Sequence, residues 1–382
     1  MMTAGFVLIS VSMGVSGGSY SSIIELFTRN KTGHIQIHKN GYLNRPSLYN
    51  TINNSTALMT RIETLPHVQA SAPRIYSAVL AFNGNKSVGI RITGIDPDKE
   101  SQTTRIKQKI SKGIFFSNYA DKDVILSDAL ARNLNLKVSD NIILIGQAAD
   151  GSIANDIFEV IGIDDGKGAT ANAMNCYMPI KTAQDFLCLS CRIHEIAVAL
   201  TDEAKTRKTA KKISQLLNDT TLDIEPWQVV EKLFFKAMET DTQGQGMTFL
   251  ILMIVVGTGI LDTVLMTILE RTPEFGLLRA IGTRPFDMFK LIIAEIACLS
   301  LFSIFLGVII AFICNYFFMK YGITLDEPFY FGGVYMERMT SKISFPIFFI
   351  PALITFTTAI LVSFWPAYRA AYMPPVQAIR ST

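Results

Sequence analysis

Four long stretches almost free of charge constrain what this chain can fold into. Met1 to Ile24 carries no charged side chain, Thr242 to Leu269 carries only Asp262, Leu291 to Met319 only Glu295, and Ile343 to Tyr368 none over 26 residues. About 20 consecutive apolar residues cover the hydrocarbon core of a bilayer as a helix. Lipid offers no water to satisfy backbone N–H and C=O groups, so runs of this length are read as membrane helices. Between the first run and the second, Glu25 to Asp241 holds 50 of the 67 Lys, Arg, Asp and Glu side chains in 217 of the 382 residues, an ordinary density for a water-soluble domain. This distribution excludes a single soluble globule, a disordered chain and a helical bundle without a large extramembrane part. A net charge of +3 with both signs balanced gives no reason to expect nucleic acid as a partner.

Met1 to Ile24 lacks the charged leader and the small-residue cleavage site of a signal peptide, so it is read as a retained helix. Basic residues normally flank the cytoplasmic end of such a helix; their absence before Met2 leads us to expect that the chain as given begins late, through start-site choice. Four crossings put both termini on one side. The connection from Glu270 to Lys290 contains four Lys or Arg, that from Lys320 to Lys342 three, and the tail two, a bias that favours cytoplasmic termini and an outer location for the large domain. The expected fold is an α-helical membrane protein with four transmembrane helices, at 1–27, 242–269, 288–319 and 343–368. A mixed α+β domain, 28–241, is inserted between the first and second, with a cytoplasmic region at 270–287, an outer loop at 320–342 and a cytoplasmic tail at 369–382.

Alternation and β-branched clusters inside the large domain predict strands at Gly33 to His38, Ala78 to Phe82, Ser87 to Ile92, Asn141 to Ile145, Phe158 to Ile163 and Glu195 to Leu200. Amphipathic spacing predicts helices at Ser127 to Leu136, capped by Ser127, and at Asp202 to Leu217, with Ile213, Leu216 and Leu217 on one face. Turn clusters such as Asp164 to Gly168 separate the elements. Cys298 and Cys314 lie in a span, where packing is the ordinary role. Cys188 and Cys191 form C-x-x-C and, with His194, resemble half of a zinc site; no second ligand pair follows, so packing or a local disulfide is expected.

Motifs for chemistry are missing. The phrase nearest to a phosphate-binding loop, Asn83-Gly84-Asn85-Lys86-Ser87, lacks the required glycine spacing, so ATP hydrolysis by this chain alone is not expected. His34 and His38 alternate with Ile35 and Ile37 and would share the opposite strand face; without a third ligand, an exposed polar face is expected. No G-x-S-x-G or H-E-x-x-H occurs, so no catalytic, cofactor-binding or metal-binding residue is assigned.

The informative segment is Glu270-Arg271-Thr272-Pro273-Glu274-Phe275-Gly276-Leu277-Leu278-Arg279-Ala280-Ile281-Gly282. Thr272 suits an N-cap, Pro273 the first helical position, Glu274 the positive helix end, Arg279 the negative end and Gly282 the C-terminal stop. A helix from Pro273 to Ile281 would be about 14 Å long, with Phe275, Leu278 and Ile281 available for burial. Such a helix between two spans suits docking on a cytoplasmic partner. Asp262 and Glu295 sit about 8 to 12 Å inside the same boundary, where isolated charges are costly, and each is expected to face the helix bundle.

Together these features resemble the FtsX/MacB/LolC-type ABC transporter permeases. The resemblance rests on Glu270 to Gly282, on Glu295, and on the tail Trp365-Pro366-Ala367-Tyr368-Arg369-Ala370-Ala371 followed by Pro374, Pro375, Ala378 and Arg380. It also rests on the order of one span, a large domain and three spans. Gly33 to His38 with Gly41-Tyr42, and Gly94-Ile95-Asp96-Pro97, resemble the LolC/LolE-like branch. Many members carry Asn where this chain has Asp262. The resemblance implies a multi-pass protein of the bacterial inner membrane with a MacB-like periplasmic domain. It implies a second permease chain, identical or related, and two copies of a separate ATPase subunit that binds ATP and Mg. Glu270, Arg271, Pro273, Glu274, Phe275, Gly276, Leu278, Arg279 and Gly282 are then the expected ATPase-coupling residues. The expected work is release of a lipoprotein or other amphiphile to a periplasmic lipoprotein carrier. Activation of a periplasmic cell-wall hydrolase and MacB-like efflux are the alternatives. The periplasmic domain is expected to fold by itself and to carry cargo or partner specificity.

Overall fold

The first apolar run forms one helix, α1 (Met2–Phe27), which continues into a π-helical turn at Thr28–Thr32 and stops at Gly33, whose φ of 69° a side chain would strain. The computed structural model describes residues 1–117, 122–166, 174–331 and 334–373; Gly168 and the tail residues Pro374, Pro375, Ala378 and Arg380 lie outside them. The chain divides into a mixed α/β domain, Ile23–Met238 with Pro328–Met336, and a helical unit made of Met1–Ser22, Glu239–Glu327 and the chain from Glu337 onward.

Along the mixed domain run β1 (Ile35–Lys39), α2 (Ser55–Glu63), β2 (Val68–Asn83), β3 (Lys86–Ile95), α3 (Pro97–Thr103), β4 (Ile110–Gly113), β5 (Asp123–Leu126) and α4 (Asp128–Leu134). There follow β6 (Asn141–Gln147), β7 (Ile153–Asp164), β8 (Asn175–Pro179), α5 (Ile180–Phe186), β9 (Glu195–Leu200), α6 (Thr206–Leu217), β10 (Leu222–Pro226) and the single turn α7 (Trp227–Val230). The ten strands form one sheet in the order β10-β1-β9-β2-β3-β8-β5-β7-β4, with β6 pairing β2 and β7. All six expected strands are present. The sequence missed β4, β5, β8 and β10, which are only four or five residues long, together with α2, α3, α5 and α7. The phrase Asn83-Gly84-Asn85-Lys86 is the two-residue turn of the β2–β3 hairpin, with Asn83 opposite Lys86 and Gly84 at φ 56°.

Strand alternation gives this sheet two unlike faces. One carries Ile35, Ile37, Ile75, Ile92, Ile196, Cys176 and Met178, sealed by Met59 and Ile62 of α2, Ala183 of α5, and Ile213 and Leu217 of α6. Each fully buried isoleucine contributes about 1.5–3 kcal/mol. On the other face the register sets His38 opposite Glu195, Glu195 opposite Arg74, Tyr76 opposite Thr93 and Thr93 opposite Tyr177.

The helical unit comprises most of α1 and of α8 (Lys232–Glu270), then α9 (Thr272–Ala280), α10 (Pro285–Tyr321) and α11 (Pro346–Ala371); between the last two lies a hairpin of β11 (Ile323–Phe331) and β12 (Val334–Met339), of which Pro328–Met336 belongs to the mixed domain. Among the described residues four helices are long and apolar enough to cross a membrane: α1 with its π-turn, α8, α10 and α11. The second and third begin at Lys232 and Pro285, several residues before their apolar runs, because polar residues extend the helices at no cost outside lipid. Within this unit small residues let the helices approach. A Cβ at Gly5 would strike Val256, one at Gly307 the Phe6 ring, and one at Gly18 the backbone carbonyl of Thr340. Pro351 lies inside α11 and has no N–H to offer the carbonyl of Ile347 one turn back; the Ser10 hydroxyl of α1 donates to that carbonyl at 2.9 Å instead.

Candidate functional site

The segment joining α8 to α10 is built around one anchored side chain and one clamped arginine. Phe275 of α9 is buried with Ile268, Met288, Ile292, Ala367 and Ala371, so residues of three other helices hold one face of α9. Arg271 Nε donates to Glu274 Oε2 at 3.0 Å, and its Nη1 donates to Glu295 Oε1 on α10, joining the start of α9 to the next long helix. The guanidinium also stands over the Phe275 ring, 5.7 Å from its centre. Gly276 and Pro273 face inward or sideways, whereas Glu270 is exposed at the end of α8. Arg279 donates from Nη1 to the carbonyl of Thr283 at 3.3 Å. Gly282, at φ 107°, lets the chain turn away from the helix end.

Two local expectations are corrected. Thr272 is the first residue of α9 rather than its cap; its hydroxyl bonds back to the carbonyl of Ile268 at 2.8 Å, since α8 approaches so closely that an i−4 acceptor is available. Of the three apolar residues expected to be buried, only Phe275 is. Leu278 is exposed, as is Leu277, and Ile281 is 76% exposed; with Phe286 at the start of α10 they leave an uncovered apolar edge.

The two carboxylates of the apolar runs part company. Glu295 lies between the buried Ile292 and Ile296 and reaches Arg271 from the flank of α10. Asp262 was expected to face the bundle and instead is exposed, with no hydrogen bond or ion pair among the described residues. Helical geometry explains this: Ile260, Val264 and Ile268 occupy the buried stripe of α8, and two residues past Ile260 is a rotation of about 200°, onto the opposite side. The phrase Trp365 to Ala371 continues α11, with Ala367, Ala370 and Ala371 buried and Arg369 over the Trp365 ring.

His34 and His38 are buried rather than exposed, because the second face of the sheet is itself covered. His34 accepts the N–H of Leu200 at 3.1 Å, and burial, aided by Arg29, lowers its pKa to about 4. His38 places Nε2 3.0 Å from Gln36 Oε1 and Nδ1 3.2 Å from the carbonyl of His194, while its ring stacks on Tyr42. Both nitrogens of His194 are committed as well, to the N–H of Tyr76 and the carbonyl of Leu48. Cys188 and Cys191 are exposed free thiols at a turn, neither packed in the core nor joined in a disulfide, and Cys298 is exposed on the surface of this chain. Among the described residues no group of three metal-ligating side chains forms.

Sequence reasoning overlooked the strongest electrostatic feature of the mixed domain. Arg74, 4% exposed, donates from Nε and Nη2 to both oxygens of Glu100 at 3.0 and 2.7 Å, and from Nη1 to Glu195 at 2.9 Å and to the carbonyl of Lys31 at 2.8 Å. Burial opposes its charge, but Glu100, Tyr76 and Glu195 outweigh that and hold its pKa well above the usual arginine value. The alternation Arg74-x-Tyr76-x-Ala78 opposite Arg91-x-Thr93 was the available signal.

Comparison with known proteins places this geometry. Residues 2–216 match the family model for a MacB-like periplasmic core domain, and residues 246–375 match that for the FtsX-like permease C-terminal region. The chain belongs to the FtsX/MacB-type ABC permeases. This permease is 24% identical over 332 residues to the pyoverdine export ATP-binding/permease protein PvdT of Pseudomonas entomophila (strain L48), a match covering 84% of this chain and 47% of the relative. It is 23% identical over 388 residues to the macrolide export ATP-binding/permease protein MacB of Nitrobacter winogradskyi, covering 98% of this chain and 56% of the relative. The permease thus spans about half the length of the curated relatives it matches. The crystal structure of the periplasmic region of MacB from Actinobacillus actinomycetemcomitans aligns over 56% of this chain and 97% of its own at 17% identity, with a TM-score of 0.40.

Proposed function

We propose that the permease is the membrane part of a MacB-type exporter, in which an ATP-binding partner acts on α9 and the motion is passed to the mixed domain. The relatives are named ATP-binding/permease proteins, which supports an ATP-binding partner for this permease; we read it as a separate subunit. Two copies of it would serve a dimer of permease chains, and ATP with Mg would be bound there. One span precedes the mixed domain and three follow; the Lys/Arg distribution supports a periplasmic mixed domain and a cytoplasmic α9, in the inner membrane. Export replaces lipoprotein release as the preferred reading, because the relatives are named for macrolide and pyoverdine export.

The observation that carries the coupling role is the uncovered edge of Leu277, Leu278 and Ile281 on a helix whose other side is fixed by Phe275 and Arg271, with Leu278 on the flank between. An apolar edge beside charged residues suits a protein groove. With the ATP-binding subunit present, the double change Leu278→Asp and Ile281→Asp is expected to abolish permease-stimulated ATP hydrolysis while leaving the thermal melting of the permease unchanged, as both positions are exposed. Gly282→Val, which cannot adopt the backbone of that turn without strain, is expected to lower stimulation as well. Full stimulation by both variants would refute the assignment.

A further inference from the structure

The polar face of the sheet lines a cavity of about 620 Å³, within the size range of small-molecule sites. Its charges are separated along its length. At one end Arg74 and Lys31 stand against Glu100, Glu195 and Glu231, three carboxylates to two cations, linked through the Arg74 pairs, the Lys31 carbonyl and the Lys31–Glu231 bond at 2.6 Å. Glu231 bonds Lys31 through Oε1, and its Oε2 has no partner among the described residues. At the other end, opposite Ala78 in the register, Arg91 is exposed, and its guanidinium makes no hydrogen bond or ion pair among the described residues. From Arg74 to Ala78 is four residues of strand, about 13 Å.

Between the two ends stand donors with protons to spare. The Tyr76 hydroxyl accepts from Arg74 at 3.5 Å and the Tyr177 hydroxyl accepts from Asn175 at 3.4 Å, so each retains its own O–H to donate. Burial keeps both protonated, raising Tyr177 to about 12 and Tyr76 well above the usual tyrosine value. A lone anion or cation would satisfy one end only. A ligand that uses both ends and the middle has an ammonium, acceptor oxygens and a carboxylate spread over about 13 Å, which is about four residues of extended peptide.

We infer that this cavity binds a short zwitterionic peptide or peptide-like molecule, its amino end at Glu231, its carboxylate at Arg91 and its carbonyls toward Tyr76 and Tyr177. This goes beyond the export reading and does not need it: a site of this kind would let the mixed domain recognise either cargo or a regulatory signal.

The test is equilibrium dialysis of radiolabelled tetra-alanine against the full chain in lipid nanodiscs, without nucleotide or partner. Saturable binding of one peptide per chain is expected, with dialanine much weaker because it cannot reach both ends. Arg91→Ala and C-terminal amidation of the peptide should each weaken binding about tenfold, and the two together no more than either alone, because both remove one charge-assisted contact. Glu231→Gln and N-acetylation should behave the same way at the other end. Absence of saturable binding overturns the inference, as does an Arg91→Ala effect equal for the free acid and the amide. Because no ATP hydrolysis is read, failure here is distinguishable from failure of the coupling assignment.

Discussion

Two arginines in this permease each hold two carboxylates, and the settings differ in every respect that matters for energy. Arg74 is 4% exposed and spends its donors on Glu100, Glu195 and a backbone carbonyl; Arg271 is 37% exposed and bridges Glu274 to Glu295. Removing one partner from a buried cluster strands charge in a medium that cannot solvate it, whereas water and ions stand in readily for a lost surface pair. The Arg74 cluster therefore acts on whether the mixed domain folds in one arrangement. The Arg271 cluster acts on where one short helix points.

The sharpest way to break that contrast is Arg74→Met, which keeps the volume and leaves Glu100 and Glu195 buried without their counter-charge. A loss of about 3–5 kcal/mol from the stability of the mixed domain is expected. The chain has two tryptophans. A Trp365→Phe background leaves Trp227, which is buried in the mixed domain, as the reporter for chemical unfolding of the full chain in nanodiscs. A loss under about 1 kcal/mol would show that the cluster is no more than a surface pair in its effect.

A smaller effect comes from acid. His34 titrates near 4 in the folded domain against an ordinary 6.5, so between those values the unfolded chain binds the extra proton and stability falls as the pH falls. His194, lowered by its burial, acts in the same direction. Asp164 and Glu225, both raised by burial, oppose it within and above the carboxylate range. The loss attributable to His34 is at most about 3 kcal/mol, present in full above 6.5 as stability and removed toward pH 4. His34→Gln, which can still accept the Leu200 N–H, should flatten the acid limb of the Trp227 unfolding curve between pH 6.5 and 4. An unchanged limb would mean that His34 gains its proton without opening the domain.

How much of this was legible beforehand follows the same division. The apolar runs marked four helices because membrane spans are specified by composition over some 20 residues, a signal that survives without any partner. The capping signals of Pro273, Glu274 and Gly282 are local in the same way and found α9, although Thr272 could not reveal that α8 would supply its acceptor. Short buried strands such as Asp123–Leu126 and Asn175–Pro179 have no alternation to read, because both faces are covered. The Arg74 cluster draws on β2, α3 and β9, up to 121 residues apart, and only the register brings them together. His38 was misjudged for that reason: alternation gave the face correctly but could not show that this face is closed over. Asp262 was misjudged because its face is settled by the stripe Ile260, Val264 and Ile268.

The smallest effect on stability, and the one that would sharpen the contrast most, belongs to Arg271. Replacing it with Met removes a half-exposed charge and both of its carboxylate bonds, yet Phe275 still anchors α9, and Glu274 and Glu295 can turn to water. The melting of the permease should therefore shift little beside the change at Arg74→Met. If α9 passes force between the ATP-binding partner and α10, stimulated ATP hydrolysis should fall all the same, because the strut from the start of α9 to Glu295 is gone. Arg271→Lys separates charge from geometry: one ammonium can take Glu274 or Glu295 but lacks the planar fork that reaches both, so it should restore the melting curve and not the stimulation. Full stimulation with Lys would mean that charge alone suffices at this joint. A melting shift in Arg271→Met as large as that in Arg74→Met would mean that the two clusters, for all their difference in burial, perform the same structural task.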